Sequence, residues 1–171
     1  LSSKKNFNIE TICIGNIYIG GTGKTSLAIE IYKMLNKKYR TVFIKKKYSN
    51  QIDEIKQLKK NGIVIADQSR KKALSTAEKK KFQIAILDDG LQQKDINYDI
   101  KIVCFNSKEG IGNNFVIPSG PLREKLSEIQ NYDLIIISGE NKNLDLQNIL
   151  YLHKKKSNFF LTKYKPTNLK K

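Results

Sequence analysis

The segment Gly20-Gly21-Thr22-Gly23-Lys24-Thr25 decides the fold, because it joins a short apolar run to an amphipathic stretch. The run before it, residues 11–14, is rich in β-branched residues and predicts a strand. The stretch after it, residues 25–36, carries apolar residues at helical spacing. A glycine-rich turn between a strand and a helix can wrap an anion with backbone N–H groups, and the helix adds its positive end. We therefore predict a phosphate-binding loop.

Two residues at the end of this loop carry the predicted chemistry. Lys24 is expected to neutralise the β- and γ-phosphates of a nucleotide, and the Thr25 hydroxyl to ligate Mg²⁺. The strict pattern of such loops has a glycine six positions before the lysine, where this chain has Tyr18. The alternative interpretation is a glycine-rich turn without chemical function.

Apolar runs alternate with amphipathic stretches along the chain, which is typical of a mostly parallel sheet flanked by helices. Further apolar runs, predicted as strands except for the last, cover residues 41–44, 62–66, 82–87, 100–105, 134–138 and 159–162. Helices are predicted at residues 25–36, 52–60, 68–81, 122–131 (opened by Pro121) and 144–153. The expected fold class is α/β, of the type found in P-loop nucleoside triphosphatases. Residues 1–138 are expected to form the main domain, and 139–171 to begin a second, incomplete region.

Two aspartates follow the predicted strand at residues 82–87. In open α/β sheets ligands bind beyond the carboxyl ends of the strands, so Asp88 and Asp89 are expected to face the phosphate-binding loop. P-loop enzymes need a carboxylate there to hold Mg²⁺ directly or through water. The alternative is that Asp88-Asp89-Gly90 is an ordinary turn.

The chain of 171 residues carries a formal net charge of +16, almost all of it from lysine. One interpretation is a compositional bias that selects no ligand, and the other is an anionic partner such as a phosphate or an acidic membrane. The longest aliphatic run, residues 134–137, is far too short to span a bilayer. Cys13 and Cys104 lie in apolar runs and are expected to be buried, unpaired thiols.

Other polar groups have an ordinary structural interpretation when taken alone. The run Lys45-Lys46-Lys47 is a solvated patch by default, although it follows the second predicted strand at the same edge of the sheet as the phosphate-binding loop. Asp53-Glu54 fits a pair of charges at a helix N-terminus. Arg123-Glu124 fits a surface pair, and His153 a surface residue.

Several motifs in one order resemble the tetraacyldisaccharide 4′-kinase family, whose members use ATP and Mg²⁺ to phosphorylate an acylated glucosamine disaccharide 1-phosphate in lipid A biosynthesis. The resemblance covers about residues 12–138. It rests on the segments 15–25 (Gly-Asn-Ile-Tyr-Ile-Gly-Gly-Thr-Gly-Lys-Thr), 53–54 (Asp-Glu), 88–92 (Asp-Asp-Gly-Leu-Gln), 112–113 (Gly-Asn) and 118–124 (Pro-Ser-Gly-Pro-Leu-Arg-Glu).

The resemblance implies a role for each matching position. ATP is expected to bind to Tyr18, Ile19, Gly20, Gly21, Thr22, Gly23, Lys24 and Thr25. Asp53 matches the catalytic base. Lys24 and Arg123 are expected to stabilise the negative charge on the phosphoryl group during its transfer. Mg²⁺ is expected at Thr25, Asp88, Asp89 and Glu124. At the position that Tyr18 occupies in this chain, the family also tolerates residues other than glycine.

The chain departs from the family pattern at several positions. Lys45-Lys46-Lys47-Tyr48 replaces Ser-Arg-Gly-Tyr, Ile52 and Ile55 flank the Asp-Glu pair in place of glycine and proline, and Gln93 replaces a histidine. The resemblance implies a membrane-associating N-terminal segment and a C-terminal half with an Asp-His motif, and we expect both to be missing from this sequence. We therefore expect a fragment that binds nucleotide and is a poor kinase by itself.

The resemblance also implies partners and a location. These are the lipid disaccharide 1-phosphate substrate and the anionic surface at the cytoplasmic face of the bacterial inner membrane, to which the chain binds peripherally. Two alternatives stay open: another P-loop triphosphatase or small-molecule kinase, and a basic nucleic-acid-binding protein. Dispersed lysines and only three arginines argue against nucleic acid, which we do not expect as a partner.

Overall fold

The computed structural model describes residues 7–48, 52–139, 143–154 and 158–163. The chain divides into two compact units. The first unit comprises Leu1–Gly15 and Lys24–Lys101, and the second comprises Asn16–Gly23 and Ile102–Lys171. Residues 140–142, 155–157 and 164–171 of the predicted second region lie outside the described residues. The predicted domain boundary after residue 138 stays a prediction.

The first unit is a parallel sheet with helices in its connections. Its strands are β1 (Glu10–Gly15), β2 (Thr41–Lys46), β3 (Val64–Asp67) and β4 (Ile84–Asp88), in the order β3-β2-β4-β1. Its helices are α1 (Lys24–Leu35), α2 (Ile52–Asn61) and α3 (Arg70–Lys79). The apolar core contains fully buried Phe43, Ile44 and Leu87, and the Tyr32 ring stacks on Phe43 with centroids 4.4 Å apart. Burial of these side chains from water stabilises the unit.

The strand register of the first unit brings the polar ends of β2 and β4 together. Ile44 of β2 lies opposite Leu87 of the parallel strand β4. The next residue along each strand is polar, Lys45 in β2 and Asp88 in β4. These two residues therefore lie side by side at the carboxyl edge of the sheet. Only the register between the strands decides which polar side chains meet there.

The second unit is also a parallel arrangement of strands. It contains β5 (Ile100–Asn106) from Ile102 onward, β6 (Leu134–Ser138) and β7 (Asn158–Thr162), in the order β5-β6-β7. A 3₁₀ helix (Leu126–Asn131) and α4 (Leu144–His153) lie in its connections. Asn143 caps α4, because its side chain accepts a hydrogen bond from the Leu146 amide. Phe105, Ile129 and Leu150 are fully buried.

The predicted α/β class with parallel strands and flanking helices is confirmed. The predicted helix over residues 122–131 is wrong in its first half, because Leu122 pairs with Tyr18 and Val116 in β-bridges. The backbone there is engaged in these pairings, and helical turns begin only at Leu126, as a 3₁₀ helix. Cys13 and Cys104 are buried and form no disulfide bond, and His153 is exposed, as predicted. Among the described residues, no helix is long and apolar enough to cross a bilayer.

Candidate phosphate-binding and carboxylate site

The phosphate-binding loop is held by side chains that bind its carbonyl oxygens. Within the second unit, Asn16 Nδ2 donates to Gly20 O (3.2 Å), Asn106 Nδ2 to Gly21 O (3.2 Å), and Ser138 Oγ to Thr22 O (3.1 Å). In a trans peptide unit the C=O and the following N–H point in opposite directions. The three pinned carbonyl groups therefore direct the next three amides away from these donors, which leaves the amides available to an anion.

Two glycines of the loop adopt backbone angles that other residues avoid. Gly20 has φ +148° and Gly23 has φ +76°. A Cβ on Gly20 would also lie 2.7 Å from Glu109 Oε2. These conformations let successive peptide units turn in the same sense, as a loop that encloses an anion requires.

Tyr18 occupies the position where the strict loop pattern has glycine, and its side chain holds the loop against β5. Its side chain is 2% exposed, and its hydroxyl accepts a hydrogen bond from the Asn106 amide at 2.6 Å. The ring packs against Phe105 with centroids 5.9 Å apart. Burial raises the pKa of the Tyr18 hydroxyl well above its ordinary value, so the group stays neutral. The Tyr18 side chain is therefore a structural part of the loop.

Lys24 and Thr25 begin α1, where the helix N-terminus is positive. No ion pair of Lys24 is found among the residues that the structure describes, so its ammonium is available to an anion. The Thr25 hydroxyl donates to Asp88 Oδ2 at 3.2 Å. The structure thus brings together two residues that are far apart in sequence and were both predicted as metal ligands.

Asp88 lies at the centre of a buried polar cluster in the first unit. Its Oδ2 accepts from Thr25 and also from Lys45 Nζ, at 2.8 Å. Lys45 Nζ in turn lies 2.5 Å from Glu54 Oε2 on the first turn of α2. Asp88 Oδ1 is buried and has no hydrogen-bond partner among the described residues. A buried carboxylate oxygen without a donor is costly, and a cation or its water would satisfy it.

Lys45 is the main site residue that the sequence did not identify. The interpretation of Lys45 as part of a solvated patch is wrong, because its side chain is 1% exposed. Burial alone would lower the pKa of Lys45, but the Asp88 and Glu54 carboxylates outweigh burial and raise the pKa above its ordinary value of 10.5. The ammonium therefore stays charged. The sequence signal was only its position, one residue beyond the predicted apolar strand; its alignment with Asp88 is seen in the structure alone.

Asp53, the predicted catalytic base, lies apart from this cluster. Its side chain is 96% exposed and lies 3.3 Å from Lys56 Nζ, one helical turn along α2. The neighbouring Glu54, not Asp53, meets Lys45. The role of Asp53 as the base stays a prediction.

Asp89 lies in a tight turn held by a buried arginine. Its φ of +61° is in the left-handed region, and its amide donates to Ile14 O at 2.8 Å. Arg70, 6% exposed at the start of α3, donates through Nη2 to Asp89 O and through Nη1 to Gln93 Oε1 (3.0 Å). The Tyr98 hydroxyl donates to Gly90 O at 3.1 Å. Arg70 had no signal in the sequence beyond the scarcity of arginine.

Arg123 and Glu124 lie in the second unit, beside the phosphate-binding loop. The Arg123 amide donates to Ile17 O at 2.6 Å, and Glu124 Oε2 accepts from the Tyr132 hydroxyl at 3.2 Å. Within the described part of the chain, no group of three or more histidine, cysteine, aspartate or glutamate side chains could by itself hold a metal ion. Any Mg²⁺ would therefore take most of its ligands from a hydroxyl, single carboxylates, water and phosphate oxygens.

A family model and several curated proteins match this chain over much of its length. The family model "Tetraacyldisaccharide-1-P 4'-kinase" matches residues 1–62 and 53–171. A tetraacyldisaccharide 4′-kinase from Pelagibacter ubique is 51% identical over 140 residues, which are 81% of this chain and 45% of that protein. One from Rickettsia typhi is 34% identical over 78% of this chain and 47% of its own length. The chain thus spans about half the length of these curated relatives.

The fold also matches solved structures. The crystal structure of LpxK from Aquifex aeolicus in complex with ATP superposes with a TM-score of 0.69 at 25% identity, over 79% of this chain and 50% of that one. The hydrogenase maturation factor HypB from Archaeoglobus fulgidus shares the fold alone, with a TM-score of 0.64 at 12% identity over 91% of this chain and 82% of its own. From its family-model match and its relatives, this chain belongs to the tetraacyldisaccharide-1-P 4′-kinase family.

Proposed function

We propose that this chain is the nucleotide-binding part of a kinase that transfers the γ-phosphate of ATP to the 4′-hydroxyl of a tetraacylated glucosamine disaccharide 1-phosphate. The observation that carries the proposal is the hydrogen bond of the Thr25 hydroxyl to Asp88, directly after a glycine loop with pinned carbonyl groups. Membership of the tetraacyldisaccharide-1-P 4′-kinase family supplies the substrate class.

The residues of the chain divide the work of binding ATP. The amides of Gly21, Thr22 and Gly23 bind the phosphates, and Lys24 neutralises charge on the β- and γ-phosphoryl groups. Thr25 and Asp88 Oδ1, which has no hydrogen-bond partner among the described residues, fit Mg²⁺. The family resemblance adds Asp89 and Glu124 as further acidic ligands. When bound, Mg²⁺ supplies positive charge that offsets the charge of the phosphates. Arg123 adds a second cation that stabilises the negative charge on the phosphoryl group during its transfer.

The transfer itself needs one base. The Asp53 carboxylate accepts the proton of the sugar 4′-hydroxyl while the sugar oxygen forms a bond to the γ-phosphorus. The bond from that phosphorus to the β,γ-bridging oxygen breaks, and ADP leaves. The high exposure of Asp53 supports this role, because a hydroxyl on a lipid headgroup must reach the base from outside the chain.

The acceptor also defines where the protein works. A tetraacylated disaccharide is embedded in a membrane, so the chain acts peripherally at the anionic cytoplasmic face of the inner membrane. Its formal net charge of +16 supports binding to such a surface. Nucleic acid is not proposed as a partner.

The test is phosphate transfer from labelled ATP to the lipid disaccharide in detergent micelles, with the Pelagibacter ubique relative at full length as the positive control. Transfer by this chain alone is expected to be weak compared with the positive control, and Asp53→Asn is expected to abolish that transfer and leave the dissociation constant for ATP unchanged. The matched control is Asp145→Asn, an exposed carboxylate in the first turn of α4. ATP hydrolysis that ignores the lipid would indicate a different P-loop triphosphatase and would contradict the proposal.

A further inference from the structure

An exposed carboxylate, that of Glu109, lies against the phosphate-binding loop. A Cβ placed on Gly20 would come within 2.7 Å of Glu109 Oε2 and 3.7 Å of Glu109 Cδ. Because a carbon–carbon bond is about 1.5 Å long, Glu109 Oε2 lies within about 4.2 Å of Gly20 Cα. Both residues belong to the second unit. A loop whose amides can enclose an anion therefore carries a negative charge at its side.

One residue, Asn106, ties the turn that carries Glu109 to the loop. Its side-chain Nδ2 donates to Gly21 O at 3.2 Å. Its Oδ1 accepts from the Lys108 amide at 2.9 Å, and its backbone O accepts from the Gly110 amide at 3.0 Å. The backbone on both sides of Glu109 is therefore fixed to the same asparagine that pins a carbonyl group of the loop. These hydrogen bonds keep the Glu109 side chain beside the loop.

The charge of Glu109 is not compensated by a neighbour. Glu109 has neither an ion pair nor a hydrogen bond within the part of the chain that the structure describes. Its field nevertheless reaches the loop segment. Burial contributes most to the raised pKa of the Tyr18 hydroxyl, the hydrogen bond from the Asn106 amide lowers that pKa, and the negative charge of Glu109 raises it. Tyr18 lies two residues before Gly20.

An anion that the loop binds lies within range of this charge. The Gly21 amide, one peptide unit beyond Gly20 Cα, is the first of the three amides available to an anion. An oxygen atom that this amide binds at an ordinary hydrogen-bond length lies within about 10 Å of Glu109 Oε2. That distance is about one Debye length at 0.1 M salt, so the repulsion between the two charges is not fully screened.

The size of the repulsion depends on the charge of the ligand, because the Coulomb energy is proportional to the product of the two charges. Free ATP carries about four negative charges at neutral pH, and Mg²⁺ offsets about half of them. Glu109 therefore weakens binding of the free nucleotide more than binding of its Mg²⁺ complex. An uncompensated charge placed against one of two competing ligands is a general way to obtain specificity.

We propose that Glu109 is a specificity-determining residue, which makes the phosphate-binding loop select the Mg²⁺ complex of ATP over free ATP. This inference rests on the proposed function, because it requires the loop to bind the phosphates of ATP. Glu109 acts by repulsion of uncomplexed phosphates, whereas the oxygen atoms of Thr25 and Asp88 fit the metal itself. The selection keeps out of the loop a nucleotide that lacks the cation needed to offset charge during transfer.

The test is calorimetric titration of the 171-residue chain with ATP at 0.1 M salt, once with excess Mg²⁺ and once with a chelator. Glu109→Gln removes the charge and keeps the shape of the side chain. It is expected to bind free ATP about tenfold more tightly than the wild type, and the Mg²⁺ complex at most about threefold more tightly. Glu109→Lys is expected to bind free ATP more tightly still. The matched control is Glu10→Gln, an exposed carboxylate at the start of the six-residue strand β1, whose other end leads to the loop.

Salt concentration checks that the effect is electrostatic. At 1 M salt the Debye length falls to about 3 Å, so the difference between wild type and Glu109→Gln is expected to disappear. Equal affinity of these two proteins for free ATP at 0.1 M salt, or a difference that persists at 1 M, would overturn the role of Glu109 while ATP binding stands.

Two further outcomes separate this role from the others. Weaker binding of the Mg²⁺ complex by Glu109→Gln would identify Glu109 as a metal ligand and would overturn its role in repulsion. A wild type that binds neither form of ATP would contradict the proposed function itself, and the role of Glu109 with it.

Discussion

Lys45 Nζ lies 2.8 Å from Asp88 Oδ2, and each of the two side chains is 1% exposed. The same ammonium lies 2.5 Å from Glu54 Oε2. One buried cation therefore compensates the carboxylate at the end of β4 and joins it to the first turn of α2. Removing one partner of a buried ion pair leaves an uncompensated charge, which costs far more than the loss of an exposed pair.

We predict that Lys45→Met destabilises the chain by about 3–5 kcal/mol, because Asp88 is left buried without a cation. The measurement is the free energy of unfolding from urea titration at neutral pH. Lys33→Met is the matched control, since Lys33 pairs with Glu30 at 2.7 Å but is 52% exposed. That control is expected to change stability by less than about 1 kcal/mol.

The double variant Lys45→Met/Asp88→Asn is expected to recover part of the stability lost in Lys45→Met, because it no longer buries an unpaired charge. Equal destabilisation by Lys45→Met and Lys33→Met would show that the buried ion pair of Lys45 and Asp88 contributes no more to stability than an exposed pair.

The stabilisation from Lys45 is expected to disappear at high pH. The folded state raises the pKa of Lys45 above 10.5, so it binds the proton more tightly than the unfolded state does. The contribution is therefore complete below pH 10.5 and is lost as the pH rises through the higher folded pKa. The difference in unfolding free energy between wild type and Lys45→Met, followed from about pH 8 to about pH 12, is expected to shrink at the alkaline end.

Buried tyrosines such as Tyr18 also lower stability at high pH, because burial raises their pKa. They are present in both proteins, so the difference isolates Lys45. A difference that grows with pH would show that the folded state does not hold the lysine in its charged form.

The hydrogen bond from Asn106 to Gly21 O is expected to matter for nucleotide binding more than for stability. Asn106→Ala releases one pinned carbonyl group of the phosphate-binding loop, and an ordinary hydrogen bond contributes about 1 kcal/mol. We predict about a fivefold weaker affinity for ATP, measured by calorimetry. The control Asn148→Ala changes an exposed residue of α4 and is expected to leave ATP binding unchanged. Equal ATP affinity in both variants would argue against a role for the pinned carbonyl groups.

Arg70 is expected to hold the Asp89 turn. Arg70→Met removes both donors, to Asp89 O and to Gln93 Oε1, and leaves two acceptors without their partner. The expected loss of stability is about 2–4 kcal/mol in urea unfolding, with a smaller loss for Arg70→Lys, which keeps the charge. Arg40→Met is the control, because Arg40 lies on the surface over the Phe82 ring. A fully stable Arg70→Met protein would show that the turn does not depend on this arginine.

The parts of the site that follow from local sequence were predictable, and the parts that depend on register were not. The glycines before Lys24 and the aspartates after β4 lie where a strand ends, so their type and position identified the loop and the carboxylates. The burial of Lys45 depends on how β2 aligns with β4, which no local pattern encodes. The same rule for strand ends would have found Asn106 and Ser138, which end β5 and β6.

The error at residues 122–131 has the same origin. Pro121 is a common first residue of a helix, so local sequence favoured a helix there. In the folded chain Pro121 O instead accepts from the Ile19 amide, and Leu122 pairs on both sides. Contacts between distant segments outweigh local helix propensity at this position.

The most direct test of the central claim, that loop 18–25 with Asp88 binds Mg²⁺ and ATP, is calorimetric titration of the chain with ATP. We predict that the wild type binds ATP and that removal of Mg²⁺ weakens binding far more in wild type than in Asp88→Asn. Lys24→Ala is expected to abolish binding, while Lys33→Ala on the same helix retains it. Unchanged ATP affinity in Lys24→Ala would contradict the account.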